Sequence, residues 1–166
     1  AMAYLVEAGL IRSVGVSNFS ADRMRRAHAA LEKRGLPLAG NQVEYSLLRR
    51  EIESNGILET AKELGVTIVC WGPLASGLLS GKFHKDPAIF ERTPIIRRRR
   101  LRPLLAATQP LIDALDEISQ AYDVSAAQVA LNWLIHVNGE MVVAIPGASK
   151  VSQTSEAAGA MSFCLS

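Results

Sequence analysis

The sequence predicts an α/β fold in which parallel strands alternate with helices. Four short apolar runs begin near residues 12, 38, 66 and 141, and segments with helical periodicity lie between them. This alternation is typical of parallel strands that are joined by right-handed crossover helices. The runs are apolar throughout, which is expected when both faces of a sheet are buried. Two architectures fit this pattern, a doubly wound open sheet and part of a (β/α)8 barrel.

Composition and charge indicate an ordinary globular protein. The chain has 166 residues, of which 49% are hydrophobic and 20% charged, so it is long enough for one domain with a buried core. The formal net charge is only +2, and we expect neither a nucleic acid nor a membrane as a partner. Cys70 and Cys164 are too few for a disulfide framework, which predicts a reducing, cytoplasmic location. No apolar run reaches the roughly 20 residues of a membrane helix, and no signal peptide is visible.

Local start and stop signals place the individual elements. A short amphipathic helix end opens the sequence, so we expect the chain to be cut from a longer protein. The predicted strands cover residues 12–16, 38–43, 66–71 and 141–145. The residues expected to begin or end helices are Gly9, Ser20, Gly65, Ser125 in a capping box with Gln128, and Ser149.

The pattern breaks after the third strand. From Phe83 to Arg102 there is little periodicity, prolines recur, and four consecutive arginines occupy Arg97 to Arg100. We therefore predict an irregular, Arg-rich loop insertion over residues 83–109, with its arginines in solvent, and a helix from Pro110 onward.

Motifs and length favour part of a barrel over a doubly wound sheet. Neither G-x-G-x-x-G nor G-x-x-x-x-G-K-[ST] follows any predicted strand. A complete (β/α)8 barrel has about 250 residues, so four strand–helix units amount to half of one. We predict that residues 1–166 form a single partial domain of a barrel, truncated at both ends.

The carboxyl ends of the predicted strands carry the candidate functional residues, because ligands bind at those ends in parallel α/β folds. Asn18 and Gln42 offer both donors and acceptors to a carboxamide ligand, and the Trp71 indole can stack on a flat heterocycle. The Gly-rich loop after Trp71 and the turn from Gly147 to Lys150 can present N–H groups and a positive charge to phosphates. Together these residues predict a site for a nicotinamide dinucleotide.

Each candidate also has an ordinary structural interpretation. An Asn or Gln after a strand is commonly a turn former or a backbone anchor. Taken alone, Trp71 is a core residue and Lys150 a surface lysine. Tyr45 can line a substrate opening or be a half-buried structural tyrosine. The three histidines lack the spacing of metal ligands, so we predict no metal site.

Four motifs, in this order and spacing, resemble the second half of the aldo-keto reductases. They are GLIRSVGVSNF, AGNQVEYS, CWGPLASGLLSGKF and VVAIPGASKVSQTSEAAGA, and the resemblance covers Ala3 to Ser166. It implies that the chain is the C-terminal half of a (β/α)8 TIM barrel, its fifth to eighth strand–helix units. The parent protein would bind NADPH and reduce aldehydes or ketones to alcohols by hydride transfer.

The resemblance also implies a role for each matching residue. The positions of Ser17, Asn18 and Gln42 hold the nicotinamide carboxamide, the aromatic residue at Trp71 stacks on the ring, and the following loop covers the pyrophosphate. The segment after Gly147 grips the 2′-phosphate and the adenine. The implied cofactor-binding residues are Ser17, Asn18, Gln42, Trp71, Gly72, Pro73, Leu74, Ser76, Gly77, Gly147, Ser149, Lys150, Gln153 and Glu156.

Two positions depart from the family pattern. Trp71 stands where Tyr or Phe is commoner, which preserves stacking. Ala157 stands where Asn usually follows the Glu, which alters part of the adenine contact. The family's catalytic Asp, Tyr, Lys and His lie in the first four strands, upstream of Ala1, so we expect no catalytic residue in this chain and no turnover by it alone.

Two alternatives to half of a reductase stay open. The segment Trp71-Gly72-Pro73-Leu74 is similar in sequence to the corresponding segment of the potassium-channel β-subunits, which implies a non-catalytic NADPH-sensing or partner-binding subunit. The chain can also be a gene fragment without a function of its own, which self-associates through open barrel edges. Under the leading interpretation, the ligands are NADPH or NADP and a small-molecule carbonyl substrate.

Overall fold

Four parallel strands form one sheet in sequence order. In the computed structural model, which describes residues 1–165, the strands are β1 (Val14–Ser17), β2 (Leu38–Glu44), β3 (Thr67–Trp71) and β4 (Val142–Ile145). Each strand pairs with the next one along the chain, in the order β1-β2-β3-β4. Ser17 lies opposite Gln42, Gln42 opposite Val69, and Val69 opposite Val143. The carboxyl ends of all four strands therefore share one edge of the sheet.

Helices follow each strand, as the predicted α/β alternation requires. They are α1 (Met2–Glu7), α2 (Ala21–Glu32), α3 (Ile57–Leu64), α4 (Lys82–Lys85), α5 (Pro87–Glu91), α6 (Ile95–Ala121), α7 (Ala126–His136) and α8 (Val151–Gly159). Short 3₁₀ turns cover Glu51–Glu53, Ala75–Ser80 and Gly139–Met141. No helix within residues 1–165 combines the length and the apolar character that crossing a membrane demands.

Most of the predicted helix ends are confirmed. The Ser20 hydroxyl accepts a hydrogen bond from the Arg23 N–H, Gly65 ends α3 in the left-handed region, and Ser125 forms its capping box with Gln128. The prediction of Ser149 as the cap of the last helix is wrong, because Lys150 occupies that position. The Ser149 N–H instead donates to Gln153 Oε1 at 2.7 Å, so the Gln153 side chain satisfies the backbone before the helix.

The main hydrophobic core lies between one face of the sheet and the helices. Val14, Leu38, Ile68 and Val142 point to this covered face and are buried. The other face, called here the inner face, is open along a hollow of 530 Å³ that Gly15, Ser17, Ala39, Gly40, Gln42, Thr67 and Val69 help to line. The expectation that both faces are buried is therefore wrong for residues 1–165. The strands look apolar in the sequence because the inner-face positions are mostly small residues, Thr or Val, and the longer polar residues Gln42 and Glu44 lie only toward the end of β2.

The predicted irregular loop over residues 83–109 is also wrong, because three helices occupy most of it. Pro87 lies in the first turn of α5, and Pro94 immediately precedes α6. Proline is favoured at helix starts, where its missing N–H costs no hydrogen bond. Pro103 and Pro110 lie inside α6, which nevertheless continues for 27 residues.

A buried stripe explains why α6 persists through its two prolines. Leu101, Thr108, Ile112 and Leu115 are buried at spacings of three, four and seven residues, which is one face of a helix. The start of α6 packs in a small separate cluster, called here the satellite cluster. Its buried members are Leu78, Phe83, Phe90 and Leu101.

Candidate functional site at the carboxyl edge of the sheet

The end of β1 is tied to β2 by two hydrogen bonds to one carbonyl group. The Asn18 N–H donates to the Gln42 carbonyl oxygen at 2.8 Å, and the Ser17 hydroxyl donates to the same oxygen at 3.2 Å. Asn18 has a φ of 55°, a left-handed conformation that asparagine adopts more readily than most residues. The side chains of Ser17, Asn18 and Gln42 are exposed beside one another at the edge.

Trp71 joins the same group from the far side of β2. Its indole N–H donates to Asn18 Oδ1 at 3.3 Å, so the contact links the ends of β1 and β3, which are not neighbours in the sheet. The bond leaves the Asn18 side-chain NH₂ as the donor that faces away from the indole. The structure thus brings Ser17, Asn18, Gln42 and Trp71 together at one edge.

Asn41 holds this turn from beneath and is a residue that the sequence reasoning missed. It is fully buried, its side-chain NH₂ donates to the Phe19 carbonyl at 2.9 Å, and its Oδ1 accepts from the Phe19 N–H at 3.3 Å. A buried amide that satisfies both backbone groups of Phe19 fixes the path of the chain just after Asn18. The available signal was a polar residue on the covered face of an otherwise apolar strand.

The loop after Trp71 contains three successive residues in the left-handed region. The φ angles are 47° at Ala75, 56° at Ser76 and 87° at Gly77. Such conformations are unfavourable for non-glycine residues and persist where surrounding contacts impose them, commonly at ligand-binding loops. Gly72 and Gly77 supply positive φ, Pro73 is buried, and Leu74 packs on a hydrophobic cluster.

Two arginines from the start of α6 hold this loop. Arg97 donates to the Ser76 carbonyl, and Arg100 donates to the Ser76 hydroxyl at 2.6 Å. Arg97 also lies over the Phe83 ring, 5.6 Å from its centroid. Both arginines are exposed, as predicted, but they are hydrogen-bonded to the loop and lie on a helix instead of an irregular segment. The signal missed was that the run begins a helix.

Gly77 lies against two cationic groups. A Cβ atom at this position would lie 3.2 Å from Lys82 Nζ and 3.3 Å from an Arg97 guanidinium nitrogen, so these two side-chain ends would have to shift, and the φ of 87° itself favours glycine. Burial lowers the pKa of the Lys82 ammonium, as do the charges of Arg97 and Lys150, whereas Glu156 raises it. Positive charge is thus concentrated at the glycine loop, and an anion bound there would relieve it.

The segment after β4 supplies the remaining predicted residues. Gly147, Ser149 and Lys150 are exposed, and Glu156 is exposed one turn and a half into α8. Within residues 1–165, no hydrogen bond joins this segment to Asn18, Gln42 or Trp71. Its link to the rest of the edge is electrostatic, through the effect of Lys150 and Glu156 on Lys82.

The backbone of Tyr45 follows the end of β2, and its N–H donates to the Trp71 carbonyl at 3.3 Å. Its side chain, however, belongs to the main core and is fully buried, not half-buried as the sequence suggested. Its hydroxyl donates to Glu53 Oε1 at 2.6 Å and accepts from the Asn138 side chain at 2.9 Å. Burial and the Glu53 carboxylate raise the pKa of the phenol above its ordinary value. Tyr45 therefore keeps its proton and connects the loop after β2 to the segment after α7.

Sequence similarity to proteins of one known family extends over the whole chain. The sequence profile of the Aldo/keto reductase family matches residues 1–166. Aldo-keto reductase str7 of Strobilurus tenacellus is 39% identical over 171 residues, which cover 99% of this chain and 48% of that protein. The chloroplastic pyridoxal reductase of Arabidopsis thaliana is 35% identical over 162 residues, which cover 97% of this chain and 42% of that protein.

A solved structure gives the same result for the fold. The thermostable aldo-keto reductase Tm1743, crystallised with the inhibitor epalrestat, superimposes with a TM-score of 0.73 at 30% identity, over 99% of this chain and 48% of that one. The four parallel strands and their helices thus match half of an aldo-keto reductase TIM barrel, and the chain spans about half the length of the relatives it matches. This chain belongs to the aldo/keto reductase family.

Proposed function

We propose that this chain binds NADPH along the carboxyl edge of its sheet and serves as the cofactor-binding half of an NADPH-dependent aldehyde or ketone reductase. The observation that carries the proposal is the convergence of Asn18, Gln42 and Trp71 at one edge, beside a loop surrounded by cations. Amide groups and an indole suit the nicotinamide end of the cofactor. The cations suit its phosphates.

The donor set supports a specific orientation of the nicotinamide. With Asn18 Oδ1 accepting from the indole, the Asn18 NH₂ group is directed to donate to the carboxamide oxygen, and the Gln42 oxygen can accept from the carboxamide nitrogen. The Trp71 ring then provides a flat apolar surface beside the nicotinamide. These residues would fix which face of the ring is presented to a substrate.

The glycine loop and the cations support binding of the phosphates. Gly77 leaves the space that a side chain would fill, with Lys82 and Arg97 on its border. Burial is the main cause of the lowered Lys82 pKa, and a phosphate bound beside Lys82 would offset the repulsion that Arg97 and Lys150 add to it. An additional phosphate near these cations would relieve their mutual repulsion, so the site should prefer NADPH to NADH.

The proposed reduction of a carbonyl group follows from the chemistry of NADPH. NADPH supplies a hydride to the carbonyl carbon of the substrate when it is bound. The residues of this chain hold and orient the cofactor, and Tyr45 cannot act as the proton donor because it is buried and bonded away from the edge. A pyridoxal reductase among the relatives supports an aldehyde as the substrate class. The two free cysteines support a reducing, cytoplasmic setting.

Calorimetric titration of the 166-residue chain with NADPH and NADH tests the proposal. We expect NADPH to bind more tightly, and Lys150→Glu to weaken NADPH binding far more than NADH binding. Lys62→Glu is the matched control, because Lys62 is an exposed lysine on α3 and the same change should leave both affinities unaltered.

Three results would contradict parts of the proposal. If neither dinucleotide binds at millimolar concentration, the edge is not a cofactor site. If Lys150→Glu weakens both equally, Lys150 does not meet the 2′-phosphate. If the chain alone reduces a reactive aldehyde with NADPH, the catalytic groups lie within it, contrary to the assignment above.

A further inference from the structure

Asn41 is a polar residue in an otherwise apolar row of the sheet. Its cross-strand neighbours are Val16 on β1 and Ile68 on β3, and Val142 continues the row on β4. This row belongs to the covered face, where the Asn41 side chain is fully buried. A buried amide costs free energy unless its donors and its acceptor are bonded. The partners of the amide must therefore account for its presence among apolar side chains.

Those partners lie in the turn after β1 and in the helix that follows it. The Asn41 NH₂ group donates to the Phe19 carbonyl at 2.9 Å, and Asn41 Oδ1 accepts from the Phe19 N–H at 3.3 Å. The NH₂ group also makes a weaker contact of 3.5 Å with the Met24 sulfur in α2. The side chain of Asn41 is thus committed to the turn, although its backbone belongs to β2.

Asn18 is held by β2 on both of its flanks. The Gln42 carbonyl oxygen accepts from the Asn18 N–H and from the Ser17 hydroxyl. On the other flank, Asn41 binds both backbone groups of Phe19. Asn18 lies between these contacts with a φ of 55°, a conformation that costs free energy and persists where the surroundings impose it. Two consecutive residues of β2 therefore set the direction in which the Asn18 side chain leaves the backbone.

We propose that Asn41 is a positioning residue for the nicotinamide end of the cofactor, an inference that rests on the proposed function. Its side chain is fully buried on the covered face, so it does not touch a bound cofactor. It acts through Phe19, by keeping Asn18 in the conformation from which the Asn18 NH₂ group donates to the carboxamide oxygen. Without the two bonds to Phe19, Asn18 can leave the left-handed region, and its amide loses that direction.

The effect of Asn41 should be confined to one end of the cofactor. The segment proposed to bind the 2′-phosphate and the adenine follows β4, and β2 and β3 separate β4 from β1 in the sheet. The contacts of Asn41 reach only the turn after β1 and α2. A residue that merely stabilised the fold would weaken the binding of both ends to the same degree, or of neither.

Calorimetric titrations of the 166-residue chain with NADP and with adenosine 2′,5′-bisphosphate test this inference. The second compound carries the adenine and the 2′-phosphate but no nicotinamide. We expect Asn41→Leu to weaken NADP binding about two- to ten-fold, which corresponds to the loss of one hydrogen bond, and to leave binding of the bisphosphate unchanged. Asn41→Ala, with a smaller side chain that leaves space for water beside Phe19, should act in the same direction.

Asn132→Leu is the matched control. Asn132 is also a fully buried asparagine that binds backbone groups, because its NH₂ group donates to the carbonyls of Ala160 at 2.8 Å and Phe163 at 2.6 Å. Those residues follow α8 and lie far along the chain from the turn after β1. Asn132→Leu should lower Tm as Asn41→Leu does, but the ratio of the two affinities should keep its wild-type value.

A second substitution separates a positioning role from a purely structural one. In an Asn18→Ala background, Asn41→Leu should weaken NADP binding no further, because the group through which Asn41 acts is already absent. NMR of the ligand-free chain tests the same step without a cofactor. Scalar couplings should report a positive φ at Asn18 in the wild type and its loss in Asn41→Leu, and the Phe19 amide should exchange faster in that variant.

Four results would overturn the inference while leaving the proposed function intact. They are an unchanged affinity ratio in both Asn41 variants, the same change of ratio in Asn132→Leu, a further loss of NADP affinity in the Asn18→Ala background, and a positive φ at Asn18 that survives Asn41→Leu. If the wild-type chain binds neither compound, the proposed function itself is wrong and this inference is wrong with it.

Discussion

The hydrogen bond between Trp71 and Asn18 allows the role of the indole N–H group to be tested separately from the role of the aromatic ring. Trp71→Phe keeps an aromatic ring at the end of β3 and removes the N–H that donates to Asn18 Oδ1 at 3.3 Å. The family resemblance identifies Phe or Tyr as the commoner residue here, so the change should fit the backbone. What is lost is the bond that orients the Asn18 amide.

The size of the effect follows from the geometry. A typical intramolecular hydrogen bond contributes about 0.5–1.5 kcal/mol net, and this one is long and partly exposed. We therefore expect the lower half of that range, which corresponds to roughly a two- to five-fold weaker NADPH affinity. Trp71→Ala should weaken binding further, because it also removes the aromatic surface, whose stacking contributes about 0.5–1.5 kcal/mol.

Calorimetry with NADPH measures these changes without relying on tryptophan fluorescence. Trp133→Phe is the matched control, since Trp133 packs on Tyr45 with ring centroids 5.8 Å apart and lies away from the strand ends. It should lower the unfolding free energy and leave NADPH affinity unchanged. If Trp71→Phe binds NADPH as tightly as the wild type, the indole N–H does not orient Asn18 for the cofactor, and the proposed orientation is refuted.

Three further predictions concern the glycine loop and the buried network. Gly77→Ala should lower the unfolding free energy by about 1–2 kcal/mol and weaken NADPH binding, because the residue has a φ of 87° and the added Cβ meets Lys82 and Arg97; unchanged urea melts would contradict this. The pKa of Lys82 is lowered in the folded state, so at pH values just below 10.5 the unfolded chain binds more protons than the folded chain. The free energy of unfolding should therefore rise with pH in this range. NADPH affinity should fall over the same range, because Lys82 loses its positive charge. Lys82→Met should remove both trends in pH-dependent melts and titrations, and their persistence would assign them to another group. Tyr45→Phe should cost about 1 kcal/mol, or roughly 2–4 °C in Tm, by leaving the Asn138 amide without its acceptor; an equal Tm would show that this network contributes nothing.

The strand order and the strand-end residues could be predicted because they depend on local patterns. Val14, Ile68 and Val142 lie in short apolar runs, and the turn residues after them mark where each strand stops. Parallel pairing then brings those ends to one edge without further information. The contact between Asn18 and Trp71 could not be foreseen, because it crosses β2 and depends on side-chain conformations.

The region after β3 was misread because the strongest local signals were ambiguous. Prolines break helices in the interior but favour helix starts, and both uses occur here, with Pro94 before α6 and Pro103 within it. The arginine run looked solvated, yet Arg97 and Arg100 reach back to Ser76, some twenty residues earlier. Contacts of that range are set by tertiary packing, which sequence periodicity does not report.

The satellite cluster makes the glycine loop and the start of α6 a single mechanical unit. Leu78 comes from the loop segment, Phe83 and Phe90 from the two short helices, and Leu101 from α6, and they bury one another apart from the main core. A segment with its own small core opens as one cooperative block, at a lower free energy than global unfolding. Loosening Phe90, whose own helix makes none of the hydrogen bonds to Ser76, would therefore release both arginines from Ser76 at once. Under the proposed function, the rate at which NADPH enters and leaves would depend on how often this block opens.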